Sequence, residues 1–238
     1  LSFNILAQPD DTTCGPTCLQ AIYAYYGDTV ALTQLIGEIE QLENGGTLAV
    51  ILGCHALKRG YRARIYTYKT NIFDPTWFRP DTREQLRDKL EAQLQFKSTD
   101  RKFERASLAY IEFLDLGGRI LMEDLNPQLI RQYLRKNKPI LTGLSATYLY
   151  QSAREIGDSN SADDLRGEPV GHFVVMCGFD RKSKQVLIAD PYRANPYSAD
   201  HFYSVRMERA ICSILLGVVT FDGILLMIEP GPKRKDDA

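Results

Sequence analysis

The 238-residue sequence lacks the marks of several large protein classes. No apolar run is long enough to cross a bilayer. The closest, Ile211 to Ile228, is broken by Thr220, Asp222 and Gly223 and reads as two buried strands joined by a turn. No block of like charge exceeds Lys233-Arg234-Lys235, and the formal net charge is −1. A nucleic-acid binder would carry a basic face or stripe, so no nucleic-acid partner is expected. Cysteine is scarce and odd in number, five in all, which is not a disulfide framework. No CxxC pair exists, and Cys14 with Cys18 forms only a lone CxxxC, so no structural zinc and no other cofactor is expected. No internal repeat is visible. The cysteine usage points to a reducing, cytoplasmic setting, while the start at Leu1 is compatible with a removed signal peptide.

What is present reads as one α+β domain over 1–238 with a helical insertion. Residues 1–7 form a short strand or extended arm, followed by the turn and capping cluster Pro9 to Thr13. Leu19, Ile22, Tyr23 and Tyr26 then fall on one helical face, which Gly27 closes. Further helices are predicted over Leu32 to Leu42 and Thr47 to Lys58, and a strand over Tyr61 to Tyr68. Residues 69–118 turn charge-rich, with helices from Arg83 to Gln95 and from Phe103, and are the expected insertion. A helix over Leu125 to Lys136 and a buried strand over Pro139 to Leu144 follow. Residues 152–169 are polar and loop-like, either a cover for a cleft or a plain surface loop. His172 to Phe179 and Gln185 to Ala189 flank a hairpin turn at residues 180–184. The last strands are predicted at Ile214 to Phe221 and Ile224 to Ile228, and residues 231–238 are an unstructured tail.

Cys14 lies between the capping cluster and an amphipathic helix, so it belongs to a first helical turn. Unpaired N–H groups and the helix dipole favour a thiolate there. On position alone, a nucleophile and a small buried packing residue fit Cys14 equally. Cys18, one turn further on, reads as the packing cysteine, and a Cys14–Cys18 disulfide would be strained. A cysteine nucleophile needs a base and a group to orient that base. Of three histidines, His172 opens a strongly apolar strand, and Asp190 ends its hairpin partner just before Pro191. A carboxylate beside a histidine at a strand end can hold its tautomer and stabilise the imidazolium. Asp190-Pro191-Tyr192 also reads as a simple turn. His55, inside a helix, reads as a packing or surface residue; His201 has no strong partner; Asp180 belongs to the hairpin turn. Tyr148 and Tyr150 could line a pocket, although aromatic packing explains them too.

The segment from Gln8 through Cys14 to Leu19, running on to Tyr26-Gly27, resembles the nucleophile motif of the double-glycine leader peptidases. These are papain-like cysteine peptidases, family thirty-nine, found on bacteriocin exporters and as free-standing relatives. Gly171-His172-Phe173-Val174-Val175 and Ile188-Ala189-Asp190-Pro191 resemble that family's base and orienting motifs. The likeness covers about the first thirty and last seventy residues, and Thr13 stands where many members carry Asp. The resemblance implies a papain-like fold, a helical lobe packed on a C-terminal antiparallel sheet. It implies that Cys14 attacks the substrate carbonyl, His172 shuttles the proton and Asp190 orients His172. It further implies that Gln8 donates its side-chain amide to the oxyanion beside the Cys14 N–H. The implied activity is that of a cysteine peptidase or amide hydrolase on a peptide or amide substrate, through a thioester. Acyl transfer by the same triad, or a non-catalytic peptide-binding module, are the alternatives. No GxxxxGK[ST] loop is present, so processing coupled to an exporter is not implied.

Overall fold

The computed structural model describes residues 2–42, 45–81, 85–97, 101–157, 159–220 and 223–231. The expected unstructured tail past Gly231 lies outside them. The helix predicted after Thr13 is α1 (Cys14–Tyr25), with Leu19, Ile22 and Tyr23 buried. The chain leaves it through Gly27 at φ +83°, a left-handed conformation in which a Cβ would be strained. α2 (Leu32–Glu38) is shorter than predicted; α3 (Ala49–Lys58) and β1 (Arg62–Thr67) fall where expected. A 3-10 turn at Pro75–Phe78 leads to α4 (Leu86–Lys97) and α5 (Arg101–Asp115), the two helices predicted within 69–118. β2 (Arg119–Leu121) precedes α6 (Pro127–Leu134), which Asn126 caps by accepting from the amides of Gln128 and Leu129.

β3 (Ile140–Ser145) runs directly into α7 (Ala146–Tyr150). The polar segment after it is not a plain loop: it holds a small hairpin, β4 (Glu155–Ile156) with β5 (Ser161–Ala162). β6 (Gly171–Asp180) and β7 (Gln185–Ala189) are joined by the predicted turn, in which Asp180 accepts from Lys182 N and Ser183 Oγ. β8 (Phe202–Arg206), α8 (Met207–Leu216), a 3-10 turn at Gly217–Thr220 and β9 (Ile224–Glu229) complete the order. The strand expected over Ile214 to Phe221 is therefore wrong over its described part: Ile214 to Leu216 are the last residues of α8, and Gly217–Thr220 form a 3-10 turn. The buried positions of α8, Met207, Ala210, Ser213 and Ile214, make a helical stripe, while Leu215 and Leu216 face out. A short apolar run cannot separate helix from strand by periodicity alone.

The sheet has the order β2-β1-β9-β3-β6-β7-β8, antiparallel throughout except for the parallel β1–β2 pair. Helices cover both faces. Phe173, Val175 and Cys177 of β6 pack with α1, α3 and α5, whereas Val174 and Met176 pack with α6 and α8. A central strand buried on both sides needs an unbroken apolar run, which explains why β6 does not alternate. The fold is thus α+β, with β6 as the spine that carries His172 at its first end.

Candidate active site

Asp10 makes the turn that delivers Cys14. Its carboxylate accepts from Thr12 N and Thr12 Oγ1, both at 2.8 Å, and its carbonyl accepts from Thr13 Oγ1 at 3.1 Å. The cluster expected to cap α1 therefore braces its own turn, and Thr13 makes no side-chain cap. Among the described residues nothing accepts from the amides of Cys14 or Gly15, and Pro16 has no N–H. The helix start thus leaves two donors and the positive dipole end beside Cys14. Gly15 permits this close packing, since a Cβ there would meet Thr47 Cγ2 at 2.8 Å. Cys14 is 8% exposed and Cys18 fully buried. Cys18 donates to the Phe173 carbonyl at 3.3 Å, and burial, with charge on Cys14 and Asp190, pushes its thiol well up. All five thiols are free.

His172 and Asp190 meet because of an irregularity in the β6–β7 ladder. Near the turn, Asp180 faces Gln185 and Gly178 faces Leu187; past a bulge between Met176 and Gly178, Met176 faces Ile188 and Val175 faces Ala189. Side chains alternate faces with a period of two, so a one-residue shift exchanges the faces of everything beyond it. Continued past the bulge, the register puts Asp190 diagonal to His172 on one face; without the shift the two would point to opposite faces. His172 Nε2 lies 2.8 Å from Asp190 Oδ1. An ionised carboxylate only accepts, so Nε2 carries the proton and Nδ1 is left free of the carboxylate, with Cys14 near enough to help raise the ring.

Burial alone would lower the His172 imidazole. The Asp190 carboxylate overrides it by charge and hydrogen bond, and with the Cys14 contact the ring is pushed from an ordinary 6.5 up to about 10. For Asp190, burial would raise the carboxyl, but His172 and two tyrosine hydroxyls hold it below its ordinary 3.8. The carboxylate is fully buried and fully satisfied. Tyr150 and Tyr203 hydroxyls each donate to Oδ2 at 2.6 Å, and Tyr192 N donates to Oδ1 at 2.9 Å. Burial and the adjacent charge push both phenols up, so they stay protonated donors. Tyr203 was invisible in the sequence reading because β8 was not recognised, although Phe202 to Arg206 alternate in burial as a strand does. Tyr150, expected either to line a pocket or to pack, instead donates to the orienting carboxylate. His201 is corrected: it does have a partner, donating from Nδ1 to the Asp190 carbonyl at 2.8 Å.

Gln8 anchors the N-terminal arm to this corner, its backbone N–H donating to the Pro191 carbonyl at 2.9 Å. Its side-chain Nε2 donates to the Asp10 carbonyl at 2.8 Å, and its Oε1 is buried without a partner. Cys14 and His172 open onto a groove of about 610 Å³. One wall is the Gly45 to Leu48 segment, another is α5 with Arg105, and Gly157 and Asn160 of the β4–β5 hairpin close a third. Asn160 ties that hairpin to the nucleophile turn by donating to Asp11 at 2.8 Å. No group of three metal-ligating side chains occurs among the described residues.

Residues 2–78 match the sequence model of the Peptidase C39 family, and residues 123–209 match that of a Peptidase C39-like family. The chain is thus similar to C39-type peptidases over two separate segments. Between the two matched segments lie residues 79–122, with all of α4 and α5 among them. A C39-like peptidase from Bacillus anthracis is similar in structure, with 16% identity, 98% of this chain and 96% of that chain covered, and a TM-score of 0.51. That likeness is one of papain-type fold. The peptidase domain of Streptococcus ComA, a bi-functional ABC transporter, aligns at 14% identity over 96% and 99% of the two chains, with a TM-score of 0.46. A double glycine motif protease from an AMS/PCAT transporter, solved with its leader peptide, aligns at 17% over 96% and 92%, with a TM-score of 0.44. No curated protein sequence matches the chain. Among the described residues no helix is long and apolar enough to cross a membrane.

Proposed function

We propose that this C39-like chain is a cysteine peptidase or amide hydrolase acting through Cys14, His172 and Asp190. The observation that carries the reading is the buried His172–Asp190 pair, 2.8 Å apart, which lines the same open groove as Cys14. Asp190 keeps the imidazole protonated, which suits a thiolate–imidazolium pair. Cys14 Sγ attacks the substrate carbonyl carbon, and the developing oxyanion accepts from the Cys14 backbone N–H. Gln8 is the second donor, through the Nε2 hydrogen not given to Asp10. As the C–N bond breaks, His172 Nδ1 passes its proton to the leaving amine and a thioester remains. Water then attacks the thioester, gives a proton back to Nδ1, and Sγ departs with the acyl group released as an acid.

Incubation with a mixed peptide library, read by mass spectrometry, tests the proposal. Cleavage products and a thioester mass on Cys14 are expected with the native chain, and neither with Cys14→Ala. Cleavage that persists in Cys14→Ala would overturn Cys14 as the nucleophile, and no cleavage by either would leave a binding module as the better account. Gln8→Ala is expected to lower kcat by about 100-fold with KM little changed.

A further inference from the structure

At the far end of β6 from His172, roughly 20 Å away at ~3.3 Å per residue, lies a second pocket that the hydrolytic chemistry does not use. It has a volume of about 430 Å³ and lies between α6 and the β6–β7 turn. Four cations line it, Arg131, Arg135, Arg181 and Lys184, in a chain whose formal net charge is −1. Among the described residues no carboxylate pairs with Arg135, Arg181 or Lys184. The one acid in the lining, Glu208, is 3.6 Å from Arg206.

Of the four, Arg131 has its side chain held, and the backbone that carries Arg181 and Lys184 is braced. Arg131 donates from Nε to the Pro127 carbonyl at 3.0 Å and lies 5.2 Å from the centroid of the Phe179 ring. Arg181 and Lys184 sit on the turn that Asp180 braces through Lys182 N and Ser183 Oγ. Lys184 is fixed at φ +55°, its carbonyl accepting from Met207 N at 3.1 Å. Like charges gathered this closely repel one another until an anion enters. Guanidinium forks match phosphate oxygens in pairs, and an anion with several charges answers several cations at once. Phe179 is already covered by Arg131, so the pocket offers charge and not a free stacking face. We infer that the pocket between α6 and the β6–β7 turn is a binding site for a small phosphate anion of two or more charges, of the pyrophosphate or tripolyphosphate class.

Isothermal titration of the full chain with pyrophosphate and tripolyphosphate tests this without reference to Cys14 or His172. Saturable binding is expected, tighter for tripolyphosphate. The Arg135→Ala/Arg181→Ala double variant should weaken it by roughly tenfold or more, since two charge-assisted contacts are removed. The Lys89→Ala/Arg119→Ala control, which removes two cations elsewhere, should leave it unchanged. Adenosine diphosphate binding as tightly as pyrophosphate would make a nucleotide's diphosphate an equal source of the ligand; weaker binding would favour the free anion. No saturable binding, an equal loss in the control variant, or citrate binding as tightly as tripolyphosphate would overturn the proposal.

Discussion

The chain holds two histidine–carboxylate–tyrosine groups built from similar parts. His55 Nε2 is 2.9 Å from Glu38 Oε2, and its Nδ1 is 2.9 Å from the Tyr23 hydroxyl. His172 Nε2 is 2.8 Å from Asp190, with two tyrosines on that carboxylate rather than on the ring. The distances barely differ; the surroundings do. The Glu38 side chain is 43% exposed and the Asp190 side chain 0%. Water screens the first pair, and an exposed pair contributes little. The second must carry its charge inside the protein, where four donors on Asp190 offset the cost of burial. Tyrosine on the ring also occupies the nitrogen that His172 leaves for Cys14. A histidine bound to a carboxylate therefore identifies nothing by itself. Burial, a free second nitrogen and a thiol at a helix start distinguish the proposed base.

The sharpest break in the comparison is Asp190→Asn. Removing one partner of a buried pair costs about 3 kcal/mol or more, read as the loss in unfolding free energy against the native chain. The pH dependence has a definite sign. His172 is raised from 6.5 to about 10, so its share of the stability is present below 6.5 and is lost as pH rises towards 10. Asp190 is lowered, so its share is present above 3.8 and is lost as pH falls through its lower folded value. The gap between native and Asp190→Asn should be widest between those two limits, 3.8 and 6.5, and close on either side. A gap independent of pH would show that the pair is not ionised in the folded chain. Tyr203→Phe comes next. Losing one hydrogen bond to a buried carboxylate should cost about 1.5 kcal/mol, measurable by urea unfolding, and Tyr150→Phe should behave alike. Smallest of all is Glu38→Gln, expected to leave both the alkylation rate of Cys14 and its pH profile unchanged. If Glu38→Gln mattered as much as Asp190→Asn, burial would not be the distinction.

Much of this corner was readable in the residues, for physical reasons that differ from one to another. Cys14 stands out because turn-forming residues precede an apolar stripe of helical period. His172 and Asp190 stand out because they end two strands joined by a short polar turn. Whether such strand-end residues share a face depends on the register, and the bulge that sets it leaves no plain mark at Met176-Cys177-Gly178. Gln8 entered through family resemblance alone, since nothing local separates it from any polar residue in an extended arm. Tyr203 was missed because β8 is five residues of alternation after an irregular stretch, and the Tyr150 contact with Asp190 because α7 is a five-residue helix that gives no sign of its tertiary partner. The expectation of a strand from Ile214, in fact the last turn of α8, arose because apolar residues run together there and both periods fit.

The most direct test of the central claim is the pH dependence of iodoacetamide labelling, mapped to each cysteine, in the native chain and in His172→Ala. At pH 6 a free thiol with pKa near ~8.5 is only about 0.3% thiolate. The account predicts that Cys14, although nearly buried, is labelled ahead of the exposed Cys212 at that pH. It also predicts that His172→Ala slows Cys14 labelling by roughly two orders of magnitude there, as the thiolate fraction falls to that of a free thiol. Labelling of Cys14 no faster than of Cys212, or a rate indifferent to His172, would contradict it.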